Sequence, residues 1–213
     1  AFNDSLLIYQ ELEQDYHPTF GDGKLYYNIG NTYFQLEEYS WAIFNYLRAQ
    51  KLMPRDEKPS LNLEIAQDKL SLKKSDPKTF FSKVFFFHTY LSLPERLQLF
   101  FLFSLIAFLI SSAVIWLPNV WLARGKWISL FVAGIFLLSI AYTQYFSPLQ
   151  GVLVQSTDLY RDAGTEYAKV GKSPLSAGLE VEVIETVPNG KWLKIIGPQG
   201  DPGFVSSEVI RIL

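Results

Sequence analysis

The sequence predicts a multidomain membrane protein: all-α helical hairpins first, a two-helix transmembrane hairpin second, and a small all-β barrel last. Three observations carry this. Apolar residues recur at helical spacing between Phe2 and Lys73, two long uncharged runs occupy 97–117 and 127–146, and alternation of period two begins after residue 150. The expected boundaries are 1–75 for the helical domain, 76–92 for an interfacial linker or helix, 93–147 for the membrane hairpin (spans at about 93–117 and 127–146) and 150–213 for the barrel.

The membrane hairpin is the firmest element. Leu97–Leu117 (LQLFFLFSLIAFLISSAVIWL) is 21 residues without a charge, and Trp127–Phe146 is a second such run of 20. At about 1.5 Å rise per residue, each crosses a hydrocarbon core of about 30 Å. Backbone amides in lipid must bond internally, so both runs should be helices. Ser92 and Glu95 have capping-box spacing and Pro94 sits in the first turn, which starts the first helix near Leu93. The short PNVWLARGK segment (118–126) makes the pair antiparallel. Trp116, Trp121 and Trp127 gather at one end and Tyr142 and Tyr145 at the other, as interfacial belts do. The aromatic segment Phe80–Leu91 is too short to cross and reads either as a surface helix or as a linker packed on the hairpin. Arg124 and Lys126 favour a cytoplasmic loop for the second helix, while Lys83 and Arg96 leave the first near a tie. The expected placement is a bacterial inner membrane, with two spans, a cytoplasmic loop and both soluble domains periplasmic. The chain begins at Ala1, read as a mature protein that has lost its signal peptide or as a trimmed tag.

In the helical region, Leu6, Tyr9, Leu12 and Tyr16 share a helical face, His17-Pro18 stops that helix, and Gly21-Asp22-Gly23 marks a loop. The next stretch is more specific. Tyr26, Ile29, Gly30 and Tyr33, then Ala42, Tyr46 and Ala49, then Pro54, match the 34-residue tetratricopeptide pattern in type and spacing. Gly30 and Ala42 let two antiparallel helices cross closely, Tyr26, Tyr33, Tyr46 and Ala49 fill the surrounding space, and Pro54 stops the second helix. One repeat cannot bury its own apolar face. The 2–16 helix is expected to cover one side and a helix over Ser60–Lys73 (Leu61, Leu63, Ile65, Ala66, Leu70) the other. In such repeats the first helix lines a groove, here with Tyr27, Asn28, Asn31, Phe34 and Gln35. Asn28 and Asn31 suit a peptide backbone or a carboxylate, although the basic residues of a carboxylate clamp are missing. The competing reading packs Tyr27 and Phe34 on the 2–16 helix.

After residue 150 the period changes. Val152 and Val154, Val181 and Val183, and Trp192, Lys194 and Ile196 alternate as strands do, with a hairpin signal at Asn189-Gly190 and further turns at Gly197 and 200–203. Several short strands in about 60 residues predict a small closed barrel. The segments VLVQSTDLYRDAG (152–164), Gly178 before EVEVIE, KWLKI (191–195) and GFVSSEVI (203–210) resemble a bacterial SH3 module, with Phe204 where tryptophan is usual. Such modules bind peptides or cell-wall fragments through surface aromatics, so Tyr160, Trp192 and Phe204 are candidates. Burial of Trp192 and Phe204 in the barrel core is the preferred alternative. Glu180, Glu182 and Glu185 read as the solvated face of a strand.

Charge and composition set limits. Net charge is −2, and no region is strongly basic, so nucleic acid is not an expected partner. With no cysteine and only His17 and His88 as histidines, neither a thiolate nor a histidine-rich metal site is expected. No phosphate loop, dinucleotide fingerprint, metalloprotease motif or nucleophile elbow occurs. The expectation is a protein that is not an enzyme, with no cofactor and no catalytic or metal residues.

The order of parts is the most specific feature. A tetratricopeptide unit (25–70, with its NLEIA continuation), two membrane spans and a bacterial SH3 domain resemble the BatE family of the Bacteroides aerotolerance operon over nearly the whole chain. The resemblance implies an adaptor in an envelope complex that serves stress tolerance or the folding of exported proteins. Its implied partners are von Willebrand factor A membrane proteins, a BatD-like protein and a MoxR-type ATPase. The alternative is a peptidoglycan-binding anchor acting through the SH3-like domain.

Overall fold

The structure, a computed structural model, describes residues 2–16, 23–72, 86–171, 173–188, 190–198 and 200–213. The expected stop at His17-Pro18, the loop residues Gly21 and Asp22, the 80–85 part of the aromatic segment, and Asn189 lie outside them. The chain divides into two units. One joins Ala1–Pro77 to Pro148–Leu213, and the other is Lys78–Ser147.

The first unit opens with four helices: α1 (Phe2–Tyr16), α2 (Gly23–Gln35), α3 (Tyr39–Leu52) and α4 (Glu57–Lys69). The α2–α3 crossing is as tight as the Gly30 and Ala42 spacing predicts. A Cβ on Gly30 would stand 2.7 Å from the Tyr46 ring, and Ala42 and Ala49 are fully buried. Tyr26, Ile29 and Ala49 form a core against Leu6 and Tyr9 of α1. Arg48 ties α1 to α3, pairing with Glu13 at 2.7 Å while its guanidinium lies 3.7 Å over the Tyr26 ring. Pro54 falls in the turn that ends α3. The last helix begins three residues before the expected Ser60, because Asp56 caps it by accepting from the Lys58 amide. Leu63 and Ala66 face inward, whereas Leu61 and Ile65 are exposed.

The same unit ends in a five-stranded antiparallel sheet: β1 (Leu149–Leu153), β2 (Glu180–Thr186), β3 (Trp192–Ile196), β4 (Pro202–Ser206) and β5 (Ile210–Ile212), in the order β4-β3-β2-β1-β5. Leu153, Val181, Val183, Leu193, Ile195, Val205 and Ile210 form its interior. Gly190 has φ +68 in the β2–β3 turn, where its amide donates to the Val187 carbonyl, so this hairpin needs its glycine.

Helices and sheet are not free lobes, as the sequence leads one to expect. Val152 and Leu153 are both fully buried and point to opposite faces of β1. Leu153 enters the sheet interior, while Val152 joins Ile43, Leu47 and Ala66 of the helices. Gly178, at φ +82, brings its backbone so close to the helical side that a Cβ would lie 2.6 Å from Leu70 and 2.9 Å from Ile43. The Arg211 guanidinium sits 5.1 Å over the Trp41 ring. The second half of β1 is sandwiched: Gly151, Val152 and Leu153 are buried, while Leu149 and Gln150 are exposed.

The second unit contains the short helix α5 (Phe86–Tyr90) and two long helices, α6 (Leu93–Trp116) and α7 (Val120–Tyr145). Both long helices have the length and apolarity to cross a membrane. The first starts where the capping residues predict, with the Glu95 carboxylate accepting from the Ser92 amide at 2.9 Å and its hydroxyl at 3.0 Å. The second starts at Val120, earlier than the expected Trp127, because Asn119 caps it by accepting from the Trp121 amide. Arg124 and Lys126 thus belong to its opening turns rather than to a loop. Small residues line the contact: Ala107, Ser129 and Ala133 are buried, and the Ser129 hydroxyl donates to the Phe103 carbonyl at 2.7 Å. Large apolar side chains face outward, with Phe101, Phe108 and Trp116 at 65 %, 66 % and 85 % exposure.

Candidate functional site

Helices α2 and α4 flank a cavity of about 240 Å³, floored by Tyr46 of α3. Asn31, Phe34 and Gln35 line it from one side and Asn62 and Ile65 from the other. Among the described residues, none that lines it is charged. Phe34 packs edge-on against Tyr39 at 5.3 Å and leaves part of its ring toward the cavity.

The floor is a fixed hydrogen-bond network. The Tyr46 hydroxyl donates to Asn31 Oδ1 at 2.9 Å, and Asn62 Nδ2 donates to the same oxygen at 2.9 Å and to the Tyr27 hydroxyl at 3.2 Å. Burial pushes the Tyr46 phenol up to about 12, so its proton stays in place across the physiological range. Tyr46 is therefore both the ring that meets Gly30 and the donor that orients Asn31.

Of the five groove residues read from the sequence, Asn31, Phe34 and Gln35 line the cavity. Tyr27 contributes only through its hydroxyl, which receives Asn62. Asn28 does not line it and is exposed, and its carbonyl accepts from Thr32 Oγ1 at 3.0 Å. The α1 face of the repeat is taken instead by Tyr33, whose hydroxyl accepts from Gln10 at 3.1 Å and whose ring stacks on Trp41. Sequence reasoning missed Asn62 and Ile65. They sit three apart, hence on one helical face, but a lone repeat gives no sign of which face turns toward α2.

The sheet carries a second candidate surface. Trp192 and Phe204 are half-buried rather than core, because the alternation of β3 and β4 sends Leu193, Ile195 and Val205 inward. Tyr160 joins them: its ring meets that of Trp192 at 5.7 Å and 87°, and its backbone exchanges hydrogen bonds of 2.9 and 2.7 Å with Phe204. Lys194 lies 5.8 Å over the Phe204 ring. The three aromatics thus form one ridge. Glu180 departs from the solvated face expected of it. It is only partly exposed and accepts from Gln67 of α4 at 3.2 Å, and burial pushes its carboxyl up, opposed by Lys51 and by the Gln67 bond.

In the second unit, Arg96 is buried among neutral partners. Its Nη1 lies 2.9 Å from Ser139 Oγ, Thr143 Oγ1 and His88 Nδ1. Nη1 has two hydrogens to share among these contacts, and Ser139 Oγ itself lies 2.9 Å from His88 Nδ1. This clamp joins α5, α6 and α7, and nothing in the sequence pattern points to it.

A tetratricopeptide-repeat family model matches residues 23–56, which cover α2, α3 and the turn into α4. No curated protein and no solved structure matches the chain.

Proposed function

We propose that the chain is a non-enzymatic, membrane-anchored adaptor that holds partner proteins in a bacterial envelope complex of the aerotolerance type. The carrying observation is the uncharged α2–α4 groove of a matched protein-binding repeat, on a chain with two helices of membrane length. The outward apolar side chains of α6 and α7 support insertion, since water would penalise each by about 1.5–3 kcal/mol relative to burial. Residues on either side of the hairpin share one core, and two crossings return the chain to the side it left. That supports both flanks lying on one membrane face. Arg124 and Lys126 at the far end favour a cytoplasmic turn and a periplasmic body. By resemblance, the partners are von Willebrand factor A membrane proteins and a BatD-like protein.

A photocrosslinking residue at Gln35 tests this in intact cells. Adducts with those envelope proteins are expected at Gln35 and not at Leu61, which is exposed on α4 outside the groove. No adduct at Gln35, or equal adducts at both positions, overturns the adaptor reading.

The aromatic ridge favours a second reading, an SH3-like module that binds peptidoglycan. Retention of the protein on purified sacculi that is lost in Trp192→Ala supports it, and retention unchanged by the substitution overturns it.

A further inference from the structure

Arg96 is a cation set into the hairpin with no anion to answer it. It is 5 % exposed, and among the described residues one nitrogen makes all its hydrogen bonds. Nη1 lies 2.9 Å from Ser139 Oγ, Thr143 Oγ1 and His88 Nδ1, and 3.3 Å from the Ser139 carbonyl. None of these partners carries a negative charge, and no carboxylate pairs with Arg96 among the described residues. Nε is enclosed without a partner, and Nη2 makes no hydrogen bond among the described residues. Nε and Nη2 are bonded to the same carbon. Their N–H bonds form the side-on fork of the guanidinium, which matches two oxygens of a phosphate or carboxylate. The protein thus occupies the nitrogen that serves single acceptors and leaves bare the edge that suits an oxyanion.

The site lies at one end of the hairpin. Arg96 is in the first turn of α6, and Ser139 and Thr143 are in the last two turns of α7, which ends at Tyr145. The helices have 24 and 26 residues, about 36 and 39 Å at 1.5 Å per residue, against a hydrocarbon core of about 30 Å. The excess carries the end turns toward the headgroup layer. Tyr142, whose ring meets His88 edge-on at 5.5 Å, belongs at the same level.

We infer that, with the hairpin in a bilayer as proposed above, the bare edge of Arg96 takes the phosphate of a lipid headgroup. An arginine buried without a counterion carries a large desolvation cost, which a paired anion offsets. The phosphate supplies two oxygens to the fork at once. The long arginine stem lets the fork swing to the rim of the hairpin and meet it there. A carboxylate from a partner helix has the same two-oxygen geometry, but it would have to bring a second charge into the membrane. Phospholipid phosphates already stand at this depth.

The test uses the full chain purified in a maltoside detergent, which carries no phosphate. Melting temperature and native mass spectrometry compare added dioleoyl phosphatidylglycerol, dioleoylglycerol (the same acyl chains without phosphate), oleate and inorganic phosphate. Phosphatidylglycerol alone should raise the melting temperature, by about 5 °C near saturation, with one molecule retained per chain. Arg96→Lys keeps the charge and loses the fork, so it should weaken that binding about tenfold, and Arg96→Gln should abolish it. The lysine variant keeps the buried cation, so a folding defect in the glutamine variant does not decide the outcome. An equal effect of dioleoylglycerol, or binding unchanged in Arg96→Lys, overturns the site. Stronger stabilisation by oleate overturns the phosphate in favour of a carboxylate, such as a partner helix would bring. An equal effect of inorganic phosphate overturns the lipid as its source. Alkaline carbonate extraction of cell membranes separates these failures from failure of the anchor. Release of the chain overturns insertion itself, whereas retention without any phosphatidylglycerol effect overturns the phosphate site alone.

Discussion

The Ser40 hydroxyl donates to the Val154 carbonyl at 2.8 Å in a buried site, across 114 residues of sequence. Ser40 opens α3 and Val154 directly follows β1, so this bond stitches the helical repeat to the sheet. It lies beside the Val152 contact with Ile43 and Leu47 and the close approach of Gly178 to Leu70. The repeat's unmet need for a cover is thus answered within the chain, by the segment that follows the hairpin.

Ser40→Ala leaves that buried carbonyl without its donor, which costs about 1–3 kcal/mol. Thermal melting of the detergent-solubilised protein should show the loss. Because helices and sheet share one core, hydrogen exchange should rise at α3 and at β1 together. Faster exchange confined to one of them would show that the two do not unfold as one body.

Glu180 makes the same seam pH-dependent. Burial raises its carboxyl above the ordinary 4.5 of an unfolded side chain, against the pull of Lys51 and Gln67. Between those two values the folded state holds more protons than the unfolded state, so this group's contribution to stability falls as pH rises through the window. Its cost is in full force above the folded value and vanishes below 4.5. Glu180→Gln should therefore raise the melting temperature at pH 8, with the gain shrinking toward pH 4. A gain that is constant with pH would show that the carboxylate is not the cause.

The hairpin contact depends on small residues. Ala133→Leu overfills a position that is 4 % exposed and should cost about 1–3 kcal/mol of helix pairing. The chain has no cysteine, so Phe103→Cys with Ser129→Cys introduces a single, unambiguous pair at a site where Ser129 already touches the Phe103 carbonyl. Oxidative crosslinking should be efficient in the parent and fall in the Ala133→Leu background. An unchanged yield would mean that these helices do not pack through Ala133.

Several features are legible in the amino-acid sequence alone. Uncharged runs of 21 and 20 residues fix two long helices because so long a stretch has few other ways to satisfy its backbone. The Gly30–Tyr46 spacing fixes a helical crossing because only a missing side chain admits that ring. Alternation of Leu193, Ile195 and Val205 fixes the sheet interior, and by the same parity it should have placed Trp192 and Phe204 outside. Other features need the third dimension. Asn62 and Ile65 face the groove only because α4 docks on α3 at one particular rotation. Val152 is core, and Glu180 half-buried, only because the sheet folds back on helices that lie far away in sequence, before the hairpin. Local sequence sets periodicity and caps, since these depend on neighbours along the chain. Which surfaces meet is decided by packing between distant segments, and no local pattern records it.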